Sequence, residues 1–127
     1  MTHILLIEDD PAVAEAIVFV LQGAGHEITH VPDAAKAAEA LEKGHYDCAL
    51  VDVWLGEDDG LAFLASQRER YFKLPFVVIS GGGPGKTLEH VTARADALGA
   101  VGVLYKPFTD EELFEAVAAA TGDKAMA

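Results

Sequence analysis

Three consecutive carboxylates, Glu8, Asp9 and Asp10, close the apolar run ILLIEDDP, and a fourth, Asp52, interrupts a second run, CALVDVWL. An ionised carboxylate at the end of an apolar strand is costly unless it is paired, protonated or bound to a cation. If folding brings two such groups to about 4 Å, their repulsion is roughly 4 kcal/mol at an effective dielectric near 20. A hard divalent cation or a raised pKa relieves that cost. Ser80 ends a third apolar run, FVVIS, and Lys106 follows a fourth, VGVLY. Carboxylates, a hydroxyl and a lysine ammonium are groups that accept, neutralise and hydrogen-bond a phosphoryl group.

The elements that must position these groups are legible from period and punctuation. Five β-rich runs are expected at Ile4 to Ile7, Glu27 to Val31, Cys48 to Val53, Phe76 to Ser80 and Val101 to Tyr105. Between them, Val13, Ile17, Val20 and Leu21 mark one helix face, and Leu88, Val91, Ala95 and Leu98 mark another. Three more helices fit Asp33 to Lys43, Gly60 to Tyr71 and Thr109 to Ala120. Pro11 suits a first helical turn, Asp33 and Thr109 are good N-caps, and Gly23, Gly44 and Gly99 fall where helices should stop. Such βα alternation implies one parallel sheet covered by helices on both faces and joined by right-handed crossovers. The first, third and fourth runs are almost wholly apolar, as strands buried on both sides should be.

In open α/β sheets the functional crevice lies outside the carboxyl ends of the strands. Glu8 and Asp9 leave the end of the first strand, Asp52 ends the third, Ser80 ends the fourth and Lys106 follows the fifth. The opposite rim offers only ordinary loop residues such as His3, Glu27 and Tyr46. Each group has a plainer reading on its own. The acidic triplet could be a solvated turn that caps a helix, Asp52 a strand-end carboxylate satisfied by backbone donors, Lys106 a surface lysine and Ser80 a turn cap. Their joint placement at one rim favours a common site.

The ordered motifs IEDDP, VDVWLGEDDG, ISG and YKPF resemble a response-regulator receiver domain of the CheY-like kind, and the resemblance covers essentially the whole chain. It implies a flavodoxin-like (βα)5 doubly wound sandwich with a five-stranded parallel sheet in the order 2-1-3-4-5. It also implies a magnesium-dependent, or manganese-dependent, phosphoryl transfer onto Asp52. Glu8 and Asp9 align with the family's acidic pair and Asp10 with its third position. Asp9 and Asp52 would hold the cation directly, Glu8 through water and Trp54 by its backbone carbonyl. Lys106 and Ser80 would stabilise the phosphoryl oxygens.

The same resemblance implies a switch in which Ser80 is drawn toward the phosphoryl group and Tyr105 rotates inward. The expected output surface is helix four, strand five and helix five, with Glu89, His90, Tyr105 and Phe108 as candidates. Lys106 and Pro107 match the family's cis peptide bond. Two departures stand out. Gly81-Gly82-Gly83-Pro84-Gly85 is richer in glycine than such a loop needs, which implies mobility. Bulky Trp54 lies two residues beyond the acceptor, where it either slows hydrolysis of the acyl phosphate or packs at the surface without kinetic effect; Gly82 holds the matching position after the hydroxyl residue.

Rival chemistries fit less well. GGGPGKT resembles a nucleotide-binding P-loop, but Gly81 leaves three residues before the Gly-Lys pair instead of four, and the loop follows the fourth strand. A flavodoxin-like cofactor module would need a phosphate-friendly loop where Glu8-Asp9-Asp10 stands, and an acid-phosphatase-like hydrolase would need a carboxylate where Trp54 stands. The five histidines show no metal-ligand grouping.

Composition narrows the class further. The formal net charge of −12 argues against nucleic-acid or membrane partners, and no segment reaches the ~20 apolar residues of a bilayer span. Cys48 is the only cysteine, so an internal disulfide is excluded and a buried structural role is expected. The expectation is a cytoplasmic, single receiver domain over residues 1–127, a phosphoprotein switch and not an enzyme, without an attached DNA-binding or enzymatic domain. Its partners would be a histidine kinase or histidine phosphotransfer protein and a downstream protein target. The alternative is a receiver fragment of a larger response regulator or hybrid kinase.

Overall fold

A computed structural model describes residues 2–55, 58–71, 73–81 and 88–122. In chain order the elements are β1 (His3–Ile7), α1 (Pro11–Gly23), β2 (Glu27–Val31), α2 (Ala34–Lys43) and β3 (Cys48–Asp52). Then come β4 (Trp54–Leu55), β5 (Asp58–Asp59), α3 (Gly60–Gln67), β6 (Phe76–Ser80), α4 (Leu88–Ala97), β7 (Gly102–Tyr105) and α5 (Asp110–Thr121). The five long strands form one parallel sheet in the order β2-β1-β3-β6-β7. Numbered among themselves, these strands follow the expected 2-1-3-4-5.

Side-chain alternation along the strands divides the core in two. Ile4, Leu6, Leu50 and Ile79 pack under α1 and α5, against Ile17, Leu21, Leu113 and Val117. Leu5, Ile7, Val51 and Val78 pack on the opposite face, under α2, α3 and α4. Every residue of β3 and β6 is buried, whereas β2 and β7, at the sheet edges, are largely half-exposed. The wholly apolar runs therefore mark the interior strands. Cys48 is buried within β3, and burial pushes its thiol up to about 12, which makes it an inert core residue.

Helix starts follow side-chain capping. Asp10 accepts from the N–H groups of Ala12 and Val13, Asp33 from Lys36, and Thr109 from Glu112 in a reciprocal capping box. The third acidic residue of the first cluster is thus a helix cap. Gly23 lies inside α1, with Ala24 as its C-cap, and the left-handed turn falls on Gly25 at φ +93°. Helix α3 stops at Gln67 instead of Tyr71. From Gln67 to Arg70 the chain is polar, so no apolar face holds further turns against the sheet. The third strand ends at Asp52, one residue early, and the last begins at Gly102, one residue late. An unexpected antiparallel ribbon, β4 with β5, pairs Trp54 with Asp59 and Leu55 with Asp58.

Candidate functional site

Strand β1 delivers Glu8 with its backbone pinned from both sides. Its N–H donates to the Val31 carbonyl at 3.1 Å, and the His30 ring Nε2 donates to the Glu8 carbonyl at 2.7 Å. The Glu8 side chain is fully buried, and Asp52, at the end of β3, is 3% exposed. Lys106 joins them: its Nζ lies 2.9 Å from Glu8 Oε1 and 2.9 Å from Asp52 Oδ2. Its backbone N–H is held by the Ser80 carbonyl at 2.8 Å, and its stem passes over Gly81, where a Cβ would stand 3.3 Å from Lys106 Cδ. The Lys106–Pro107 peptide is cis, as the resemblance implied.

The second Asp52 oxygen, Oδ1, accepts from the Trp54 N–H at 3.0 Å. The chain then turns out of the sheet and returns, and the Gly60 N–H closes the excursion on the Val53 carbonyl at 2.8 Å. Gly60 approaches so closely that a Cβ there would fall 1.9 Å from the Asp52 carbonyl oxygen. Asp59 caps α3 through the N–H groups of Leu61 and Ala62, and its other oxygen faces Arg94 of α4 at 4.0 Å. Asp52 is therefore held by a ribbon anchored at both ends.

Burial, and then the Asp52 carboxylate beside it, push Glu8 up to about 8, although Lys106 pulls it partly back. Burial works against the Lys106 ammonium, but hydrogen bonds and charge from Asp52 and Glu8 outweigh it and raise its pKa. Exposed Asp9 completes the cluster, with one oxygen each from Glu8, Asp9 and Asp52 within 4.8 Å of one another. Among the described residues, buried Glu8 Oε2 has no hydrogen-bond partner. Three carboxylates against one ammonium leave net negative charge and an unsatisfied hard oxygen, a donor set that suits a divalent cation such as magnesium.

Ser80, buried at the end of β6, follows Ile79, the register partner of Asp52, and is itself opposite Tyr105. Tyr105 is half-buried and its hydroxyl is hydrogen-bonded to Thr92 of α4. Trp54 is 37% exposed at the rim and donates its backbone N–H to Asp52. Glu89 and His90 are exposed on α4. Phe108 is half-buried, packs against the cluster under α1 and α5, and lines a groove against α1. Gly82, Gly83, Pro84, Gly85, Lys86 and Thr87 lie outside the described residues.

Glu8, Asp9, Asp52 and Lys106 are thus brought together as expected, with Ser80 beside them in the sheet. Gly60, Asp59 and His30 were not anticipated as parts of the site. Asp59 had a readable signal, an acid before a glycine and an apolar helical run. Gly60 and His30 act through contacts with distant backbone that no local pattern encodes.

The response regulator receiver domain model matches residues 4–118. The chain is 36% identical over 110 residues to the transcriptional regulatory protein BasR of Escherichia coli, covering 87% of this chain and 48% of BasR. It is 32% identical over 111 residues to FixJ of Bradyrhizobium diazoefficiens, covering 87% of this chain and 52% of FixJ. The chain spans about half the length of these relatives. Among solved structures, the receiver domain of NtrX from Brucella abortus superposes with a TM-score of 0.85 at 28% identity, covering 95% of this chain and 99% of that one.

Proposed function

Because the chain belongs to the response regulator receiver domain family, we propose that Asp52 accepts a phosphoryl group from a phosphohistidine on a histidine kinase or histidine phosphotransfer protein, or from a small phosphodonor. The observation that carries this reading is the position of Lys106 Nζ, 2.9 Å from both Glu8 and Asp52, residues 98 and 54 positions away in the chain. An Asp52 oxygen attacks phosphorus in line, the phosphorus–nitrogen bond breaks as the phosphorus–oxygen bond forms, and the imidazole leaves with its electron pair. Lys106 then turns from Asp52 toward a phosphoryl oxygen, and the Ser80 hydroxyl donates to another.

Glu8, Asp9, Asp52 and the Trp54 carbonyl are the groups proposed to hold magnesium or manganese, which would neutralise charge on the phosphoryl oxygens. Withdrawal of Ser80 toward the phosphoryl group would let Tyr105, its cross-strand neighbour, move inward and change the α4–β7–α5 face for a downstream protein. The domain acts as a switch whose own residues assist phosphoryl gain and loss. Trp54 at the rim would slow water's access to the acyl phosphate.

The donor needs a surface beside the rim. An apolar groove of about 560 Å³ between α1 and the start of α5, lined by Val13, Ile17, Val20, Pro107 and Phe108, runs up to Lys106 and offers that seat. We place the protein in the cytoplasm with such a donor, acting through protein partners and not through membrane or nucleic acid. The same chemistry would serve within a larger response regulator or hybrid kinase.

Phosphodonor labelling with and without magnesium, comparing the parent with Asp52→Asn, tests the mechanism. Label confined to the parent and dependent on the cation is expected. Label that persists in Asp52→Asn, or without any divalent cation, would overturn it.

A further inference from the structure

Two adjoining concavities run along the exposed edge of the sheet between α4 and β7. One, of about 590 Å³, is lined by Glu89, Thr92, Ala93, Asp96 and Tyr105. The other, of about 270 Å³, continues over Ala100, Val101, Gly102 and Val103 and shares Thr92, Asp96 and Tyr105 with the first. The floor is largely apolar, and Val101, just before β7, is 49% exposed. The rim is acidic, with Glu89 and Asp96 seven positions apart on one stripe of α4.

Charge segregation over this part of the chain is strong. Residues 88–122 hold six acidic side chains, Glu89, Asp96, Asp110, Glu111, Glu112 and Glu115, and two cations, Arg94 and Lys106. Both cations face carboxylates elsewhere: Arg94 faces Asp59, and Lys106 faces Glu8 and Asp52. Among the described residues, neither concavity is lined by a lysine or arginine.

We propose that this groove takes a basic protein segment, with Lys or Arg flanking an apolar side chain that seats against Val101 and Tyr105, and that it rejects a second copy of this chain. Resting on the receiver reading, the proposal gives the chemistry of the partner at its output face. Glu89 and Asp96 attract the flanking cations, while the apolar floor supplies the area that charge alone does not. A two-fold pairing through the same patch would set it against its own copy, so Glu89 and Asp96 would meet a rim that carries the same two acids. Like charges across an interface cost several kcal/mol, so charge complementarity here selects against self-association.

A fluorescein-labelled synthetic peptide of alternating lysine and leucine is the probe, with binding followed by anisotropy at rising salt. Glu89→Lys with Asp96→Lys is compared with Glu27→Lys and Glu39→Lys on the opposite side, which change the net charge equally. The α4 pair is expected to weaken binding about tenfold or more and the control pair less than about twofold. Equal losses in the two variants would reduce the effect to net charge and overturn the groove. Sedimentation equilibrium is expected to give a monomer; a dimer of the parent that the α4 pair dissolves would overturn the rejection of a second copy. Magnesium-dependent labelling of Asp52 on the same samples reports the receiver reading separately, because none of these four residues touches the acceptor cluster.

Discussion

Gly60 presses its Cα against the main chain of Asp52, leaving no room for even one methyl group: a Cβ would lie 1.9 Å from the Asp52 carbonyl oxygen. The ribbon that holds Asp52 depends on that approach, because the Gly60 N–H closes it on Val53. Gly60→Ala should therefore displace the Asp52 backbone and cost about 1–3 kcal/mol, as overpacking in a closed interior does. Urea unfolding would register the loss, and phosphodonor labelling should fall with it. A variant as stable and as readily labelled as the parent would mean that the ribbon yields without moving Asp52.

The raised Glu8 pKa gives a signed dependence on pH. Between the unfolded value of 4.5 and the folded value of about 8, the native state keeps a proton that the unfolded chain releases. The contribution is present in full below pH 4.5 and is lost as pH rises through about 8. A divalent cation competes with that proton, so magnesium should raise the urea midpoint more at pH 8.5 than at pH 6. Glu8→Gln should flatten both trends. The idea fails if the magnesium effect is equally large at both pH values in the parent.

The cluster at the carboxyl ends of the strands was legible because its frame is regular. Apolar runs ending in Glu8, Asp52 and Ser80 fix which end of each strand the polar group occupies, and parallel pairing then carries all of them to one rim. The ribbon from Trp54 to Asp59 was not legible: two-residue strands have no period, and Gly60 reads simply as a helix start until the Asp52 carbonyl is seen beside it. Asp10 could be read as a site residue or a cap, and the bonds from Ala12 and Val13 decide for the cap. Lys106 was likewise legible as a member of that rim, but its direct pairing with Glu8, across 98 positions, was not.

Lys106→Met keeps most of the stem over Gly81 and removes the charge. The two buried carboxylates then face each other uncompensated, and the metal-free protein should lose about 1–3 kcal/mol above pH 8, less than a fully buried pair would because Lys106 is 26% exposed. Magnesium should bind at least as tightly, since a competing cation has gone. The phosphorylated form should nevertheless fail to shift the α4–β7 face, because no cation draws the phosphoryl group from the Lys106 side. Magnesium titration paired with hydrogen exchange of α4 would separate the two effects. Weaker metal binding together with an intact α4 response would contradict this division of labour.

Trp54 contributes its N–H to Asp52 through the backbone, so Trp54→Ala leaves that bond in place and removes only the indole from the rim. The lifetime of the phosphorylated form should shorten several-fold, on the order of 1 kcal/mol of barrier. Decay of the label after the donor is removed measures it. An unchanged lifetime would make Trp54 a surface tryptophan without kinetic consequence.

The hydrogen bond between Tyr105 and Thr92 ties the ring to α4. Ser80 is the cross-strand partner of Tyr105, so the hydroxyl and the ring of the proposed switch are adjacent in the sheet. Thr92→Val removes the tether while keeping the branched shape of the side chain, and it should favour the inward ring by about 0.5–1 kcal/mol, roughly a two- to fivefold change in population. Tyr105→Phe breaks the same bond from the other end. If the bond is what holds the ring outward, the double variant should shift the population no further than either single change, because the interaction can be lost only once. Side-chain couplings of residue 105 report the rotamer in all four proteins. Effects that simply add would show that Thr92 and Tyr105 act independently, and the proposed coupling of α4 to Asp52 would then have to run through Asp59 and Arg94 instead.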